Sequence, residues 1–370
     1  RRRHTRYGTV TGVQTCALPI SEMATWMEIH SALAQRHHLS SAQIRWAMNQ
    51  ILNGVAPDEE IKNFLIGLRD KGESVDEVNA LVDEMYTHAH LIEIPDRAVD
   101  PVGTGGDGFN TINISTAAAI VTTAAGARVM KHGNRAATSK SGAADLLEAF
   151  DIDITLNASA VAECVRKIGI GFAFAPVFHP AMRHAAPVRK ALGFPTIFNI
   201  LGPLANPARV KVVSIGVTSA ERLQMVTNVL ALRGCEGFVF RGDEGIDEIS
   251  ISGTTTINVI QKNSISTSVF DPQEIGIPLF PLAELAGGDA HLNAQLIREV
   301  FNGAEGAKRE AILLNAAAAI AAFKGDFDLG VTQQLAQGYV LAKYAVDSGK
   351  ALQLVERWAA LSKELAKSSL

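Results

Sequence analysis

Between residues 26 and 92 the apolar positions recur at intervals of three and four, the spacing of one helix face, and strand signals are almost absent. A capping box of Ser40 and Gln43 precedes Ile44, Ala47, Met48, Ile51 and Leu52. Pro57, Asp58, Glu59 and Glu60 suit the first turn of a second helix, whose stripe is Ile61, Phe64, Leu65 and Leu68. Ser74 and Glu77 repeat the box ahead of Val78, Leu81, Val82 and Met85, and Pro95 ends the unit.

From about residue 98 short apolar strands alternate with helices, the signature of an α/β domain with a largely parallel sheet. Strands are predicted at 127–130, 210–217 and 238–240. A helix opens at Ser115 with Asn113, Ser115 and Thr116 as cap and first turn, and another runs to Leu232 behind Thr218 and Glu221. Residues 254–270, rich in Thr, Ser, Val and Ile, read as extra strands, possibly antiparallel, and three helices near 292–302, 306–323 and from 332 onward close the chain. The fold class is α/β: a small all-helical domain plus a large α/β domain with a mostly parallel central sheet and helices around it. The expected division is 23–97 for the helical domain, with the proline-punctuated segment 178–206 packing on it, and 98–177 with 207–370 for the large domain. Residues 1–22 read as a foreign or disordered leader, with Met23 as the natural start, because the arginine-led, polar opening fits no signal sequence.

At 370 residues, 47% hydrophobic and 19% charged, the chain has the composition of a globular protein of two domains. Its net charge of −4 gives no general attraction for nucleic acid or anionic membrane, so any phosphate must be held by local groups. No apolar run reaches the roughly 18 residues of a membrane span. Cys16, Cys164 and Cys235 show neither pairing nor metal-ligand spacing, and the expected location is cytoplasmic.

Three stretches carry chemistry. Gly103-Thr104-Gly105-Gly106-Asp107-Gly108 is a turn whose backbone N–H groups can approach an anion, directly before a helix N-terminus that favours phosphate. It matches the spacing of a dinucleotide fingerprint, but the acid needed some 20 residues on is replaced by basic Arg128 to His132. Residues 131–142 read as a polar loop leaving a strand, with Lys131, Arg135 and Lys140 and several hydroxyls able to surround a polyphosphate. His132 reads as a structural histidine, with no case for a base. Asp247-Glu248, soon after a strand, suits Mg²⁺ shared with substrate phosphates, with Asp243 and Glu244 as rival ligands.

Together with Asn113-Ile114-Ser115-Thr116, Lys131-His132-Gly133-Asn134, Pro187-Val188-Arg189-Lys190, residues 197–207 (IFNILGPLANP) and Gly245-Ile246-Asp247-Glu248, the turn resembles the anthranilate phosphoribosyltransferase family, in order and from about Met23 to the C-terminus. The resemblance implies a nucleoside-phosphorylase-like fold, a homodimer formed through the helical domain, and Mg²⁺-dependent transfer from 5-phosphoribosyl 1-pyrophosphate to anthranilate, with two Mg²⁺ per monomer. It implies donor binding by Gly103, Gly106, Asp107, Thr111, Asn113, Ile114, Ser115 and Thr116. It extends donor binding to Lys131, His132, Gly133, Asn134, Arg135, Ala136, Ala137, Thr138, Ser139 and Ala143. It places metal at Ser115, Asp247 and Glu248, and anthranilate at Gly103, Asn134 and Arg189, with Arg189 facing the carboxylate. Thr138 and Ala143 stand where the family commonly has serine, so Ala143 can serve the donor only through backbone or shape.

Two other readings share the architecture or its charge pattern. A pyrimidine nucleoside phosphorylase would use phosphate as nucleophile, but its lysine-histidine-serine loop is not what Lys131-His132-Gly133 shows. A nucleic-acid-binding relative would need a basic face, against a negative net charge and intact phosphate and metal motifs.

Overall fold

The computed structural model describes residues 24–94, 97–136, 139–262 and 264–368. The leader 1–22 and the helix-ending Pro95 lie outside the described residues, as do Ala137 and Thr138.

Four helices come first: α1 (Trp26–Ala34), α2 (Ser41–Leu52), α3 (Asp58–Lys71) and α4 (Val75–Thr87). The Ser40 and Ser74 capping boxes form, and a third, Thr25 with Glu28, opens α1. Glu77 does more than cap. Its carboxylate accepts from the N–H groups of Leu39 and Ser74 and from Lys71 Nζ, each at 2.7 Å, with both side chains of the ion pair out of solvent. Burial raises its pKa, but the Lys71 bond and the two backbone donors outweigh that and hold it below the usual 4.5. Glu77→Gln is therefore expected to cost about 3 kcal/mol at neutral pH, since the buried Lys71 keeps Gly72 O and His38 Nδ1 but loses its only carboxylate among the described residues. A depressed folded-state pKa contributes stability above the unfolded value and loses it as pH falls through the folded one. The gap between wild type and variant in denaturant melts should accordingly close on acidification below about pH 4.5.

The sheet contains β1 (Val99–Gly103), β2 (Val129–Gly133), β3 (Ile170–Phe174), β4 (Val212–Gly216), β5 (Glu236–Gly242), β6 (Thr255–Gln261) and β7 (Ser264–Phe270). Its order is β3-β2-β1-β4-β5-β6-β7; β1 to β5 run parallel, and β6 and β7 are antiparallel. The chain moves outward through β2 and β3, then returns to the other side of β1 for β4 and β5. The switch point, where parallel sheets open a crevice for ligands, therefore lies between the C-terminal ends of β1 and β4.

Crossovers use α5 (Ile114–Ala124), α6 (Ala143–Ala149), α7 (Ala158–Ile168) and α11 (Ala220–Leu232). Short helices α8 (Ala175–Phe178), α9 (Ala186–Leu192) and α10 (Phe198–Leu204) fill the segment before β4. Four helices end the chain rather than three: α12 (Ala290–Phe301), α13 (Ala307–Lys324), α14 (Val331–Asp347) and α15 (Lys350–Ser368), the last two split where Gly349 takes φ 75°. Helix α11 is capped by Ser219, one residue beyond the expected Thr218, through a 3.2 Å bond from Arg222 N.

The strand period of two divides the core. On β4 and β5, Val212, Phe238 and Phe240 join one apolar cluster with α5 and α13, while Val213, Ile215 and Val239 join another. That second cluster runs through α11 into the helical bundle and takes in Ala185, Val188, Ile197, Phe198, Ile200, Leu201 and Leu204 of α9, α10 and their flanks. The bundle thus rests against one face of the sheet beside the switch point.

Candidate active site

The glycine turn leaves β1 at Gly103, and Gly105, Gly106 and Gly108 take φ of 69°, 83° and 81°, where side chains are strained. The N–H of Gly105 donates to Asp247 Oδ2 at 2.6 Å, and Asp107 Oδ1 accepts from Phe109 N at 3.1 Å. Strands β1 and β4 both end in glycine, paired in register. A Cβ on Gly103 would lie 2.3 Å from Asp247 Oδ2, and one on Gly216 would lie 1.7 Å from Asp247 O. Asp247 thus occupies the space that side chains at the two strand ends would need.

Glu248 sits at the start of α5, where its Oε1 accepts from Ser115 N at 3.1 Å. This corrects the expected cap: Asn113 stands at the N-cap position without capping, and the carboxylate fills that role. Asn113 instead ties three segments together. Its Nδ2 donates to Ser141 O at 2.9 Å, and its Oδ1 accepts from Ser141 Oγ at 3.1 Å and from Asn293 Nδ2 at 2.9 Å. Asn293, a buried amide on α12, has no counterpart in the sequence reading; its signal was a polar residue on an apolar helix face. Ile114 and Thr116 are buried in the helix, and Thr111 bridges to Ala286.

The basic stretch differs from its expected form. Strand β2 continues to Gly133, so Lys131 and His132 are strand residues rather than loop residues. Lys131 is buried and donates to Pro101 O at 2.6 Å. Arg135 pairs with Asp145 at 2.8 Å and with both Glu148 oxygens at 2.5 and 2.8 Å. Arg135 is thus engaged by two carboxylates, and Lys131 acts from inside the sheet rather than from a loop. Among the described residues Lys140 is exposed and unpaired, and Ser139 Oγ donates to Ser141 O at 3.3 Å. Asp145, also absent from the sequence reading, folds the loop by accepting from Ala136 N at 3.1 Å and Gly142 N at 2.8 Å. Asn134 Oδ1 accepts from Arg135 N at 2.8 Å, and Ala143 opens α6 with its Cβ against Gly133.

Asp247 and Glu248 are 7% and 9% exposed. Burial, then the charge of Asp107, pushes Asp247 up to about 7; burial, then Asp247, holds Glu248 well above the usual carboxylate range. Lys131 opposes this from inside the sheet, and its own pKa is lowered by burial against the pull of Asp100, Glu248 and Asp247. Asp243 and Glu244 are engaged elsewhere, with Thr254 Oγ1 and with Ser250 Oγ. No group of three or more His, Cys, Asp or Glu forms a metal cage among the described residues. Two crowded, buried carboxylates fit a cation that shares its coordination with phosphate and water.

His132 donates from Nδ1 to Gly202 O at 2.8 Å, because a carbonyl can only accept, which leaves Nε2 as a lone pair. Burial, then His179, pulls its pKa down to about 3. Nε2 and Thr104 Oγ1 are both buried without a protein partner, which leaves two polar atoms for a ligand to satisfy. On α9 the half-buried Arg189 guanidinium lies 5.3 Å from the centre of the Phe198 ring of α10, the helix that also carries Gly202. No carboxylate pairs with Arg189 among the described residues. The structure thus brings together the glycine turn, the α5 terminus, Lys131 and the carboxylate pair, while Arg189 is in contact with Phe198 of α10, whose Gly202 holds His132.

A helical bundle joined to an α/β sheet, with a glycine turn and paired carboxylates at the switch point, is the plan of a glycosyl transferase. The pattern "Glycosyl transferase family, a/b domain" matches residues 95–352, and "Glycosyl transferase family, helical bundle domain" matches 27–89. An anthranilate phosphoribosyltransferase of Rhodococcus jostii (strain RHA1) is 47% identical over 344 residues, covering 93% of this chain and 95% of its own. The crystal structure of that enzyme from Thermus thermophilus superposes with TM-score 0.83 at 36% identity, over 91% of this chain and 100% of its own. The Saccharomyces cerevisiae enzyme, solved in complex with PRPP and Mg, gives TM-score 0.82 at 29% identity, over 92% and 98%. The chain belongs to the anthranilate phosphoribosyltransferase family.

Proposed function

We propose that the protein transfers the phosphoribosyl group of 5-phosphoribosyl 1-pyrophosphate to the amine of anthranilate, releasing pyrophosphate, the second step of tryptophan biosynthesis. The observation that carries this reading is the convergence of Gly105 N, Ser115 N, Asp247 and Glu248 at the β1/β4 switch point. The new C–N bond forms at the anomeric carbon as the C–O bond to pyrophosphate breaks with its electron pair, and the amine's proton leaves to solvent or to the departing group.

The glycine turn and the α5 terminus, through Gly103, Gly106, Asp107, Thr111 and residues 113–116, hold the donor. Residues 131–139 and Ala143 flank it. Asp247, Glu248 and Ser115 hold Mg²⁺, two per monomer, which neutralises charge on the leaving pyrophosphate. The yeast relative's complex with PRPP and Mg supports this choice of ion. Gly103 and Asn134 contact anthranilate, and Arg189 meets its carboxylate. The aromatic amine is a free nucleophile, so positioning and charge neutralisation suffice. We assign 23–97 with 178–206 to the helical domain and 98–177 with 207–370 to the donor-binding domain, and propose a cytoplasmic homodimer formed through the helical domain. No helix among the described residues is long and apolar enough to cross a membrane.

Anthranilate fluorescence should decay when the protein, Mg²⁺ and the donor are mixed, and persist if any one is omitted. Phosphate-dependent cleavage of a pyrimidine nucleoside without that decay would instead identify a phosphorylase. Arg189→Ala is expected to raise KM for anthranilate by roughly 30- to 100-fold, the worth of a charge-assisted carboxylate bond, and to leave KM for the donor within about threefold. Initial-rate kinetics on both substrates checks this. Since His132 stays neutral down to about pH 3, His132→Asn should change the height of the pH–rate profile but not its shape between pH 5 and 8.

A further inference from the structure

A second cavity, of about 360 Å³, opens at the opposite end of the strands from the glycine turn. It lies between α4 of the bundle, which contributes Asp83 and Tyr86, and the N-terminal ends of β1, β4 and β5. Val213 on its wall is three residues from Gly216, so a strand length of roughly 10 Å separates it from the catalytic crevice. Nothing in the proposed transfer uses it.

Its rim is cationic. Arg209, Lys211 and Arg233 all line it, and they differ in what they have left to offer. Arg233 gives its Nη1 donors to Asn79 at 2.6 Å and Asp83 at 2.7 Å, which fastens α11 to α4 and pairs its charge with Asp83. Lys211 Nζ gives one donor to Arg233 O at 2.8 Å and keeps two. Arg209 is exposed, is held at φ 51° and places its guanidinium 4.8 Å from the centre of the Tyr86 ring; no carboxylate pairs with it among the described residues. Arg233 lies 5.3 Å from the same ring, so Tyr86 orients both guanidinium groups at the cavity. The carboxylates do not cancel this charge. Asp83 is taken by Arg233, and Asp100 at the back accepts from Asn206 Nδ2 at 2.8 Å and His132 N at 3.2 Å and has the Lys131 charge set against its own. Between rim and back the wall is apolar, with Leu204, Val210, Val213 and Leu230.

We infer that this inter-domain cavity is a second ligand site, for a small organic anion whose phosphate or carboxylate is held by Arg209 and Lys211 and whose apolar body lies against Tyr86 and Leu230. The volume is at the lower end for small-molecule sites, which suits one ring and its anionic group. The inference stands on the cavity alone and does not need the proposed transfer to hold.

Calorimetric titration of the full chain with phenyl phosphate, inorganic phosphate and phenol tests it. Phenyl phosphate should bind more tightly than either of the others, and its Kd should weaken by at least about fivefold in Arg209→Gln/Lys211→Gln. Arg209→Gln alone should give a smaller loss in the same direction. The catalytic crevice is common to parent and variants, so only the difference between them is read, and both variants should keep the parent's basal turnover. A shift of less than about fivefold in the double variant, equal binding of phenol, or no binding of phenyl phosphate to the parent would overturn the inference.

Discussion

Replacing Asp247 by asparagine and Glu248 by glutamine together is expected to cut turnover by more than about a thousandfold and yet leave the melting temperature unchanged or higher. The two readouts separate because the pair is arranged against stability. Both carboxylates are buried, adjacent and of like sign, and burial, joined by Asp107 against Asp247 and by Asp247 against Glu248, disfavours their charged forms. The amides keep the shape and can still accept from Gly105 N and Ser115 N, so the strand ends and the α5 terminus remain joined. What disappears is the charge that would hold Mg²⁺ against the diphosphate. Titrating Mg²⁺ into parent and variant, alongside thermal melts, checks both halves. A variant that keeps its Mg²⁺ dependence would count against the assignment, and a large fall in melting temperature would show that the pair serves folding instead.

The second large effect is expected from one added methyl group. Gly216→Ala should lower turnover by about a hundredfold or more, because its Cβ would stand 1.7 Å from Asp247 O and 2.4 Å from Asp247 C. Both are backbone atoms and cannot swing aside as a side chain could, so the 243–248 segment must move and take both carboxylates with it. Gly330→Ala is the control, since a Cβ there meets nothing within 4 Å and its φ of −60° suits alanine. Gly330→Ala should match the parent in rate. If Gly216→Ala does so too, the close approach of β4 to Asp247 has no catalytic weight.

Features set by local sequence were legible before any coordinates. The Ser40 and Ser74 capping boxes, the Asp58–Lys71 stripe and the antiparallel pair after residue 254 follow from neighbours three or four positions apart, or from β-branched runs. The carboxylate pair and the glycine turn stand out as clusters in the sequence, but glycines and acids are also ordinary turn residues, and only the fold brings the two stretches together at the β1/β4 switch point. The misses share a cause in tertiary contact. Lys131 reads as a loop cation until Pro101 and the buried carboxylates draw it into the sheet, and Arg135 reads as free until α6 presents Asp145 and Glu148. Asn113 looks like a cap, but the position was open to Glu248, far later in the chain, and Asn113 turned to Ser141 and Asn293 instead. Gly349 splits the last helix by a positive φ that periodicity does not reveal.

The most direct measurement is a crystal structure with the phosphoribosyl donor and Mn²⁺ in place of Mg²⁺, with data recorded at the manganese absorption edge. An anomalous peak coordinated by Asp247 or Glu248 and by the diphosphate, with the sugar phosphates against the turn that begins at Gly103, is the expected result. A metal and diphosphate bound together elsewhere, with the carboxylate pair touching neither, would contradict it.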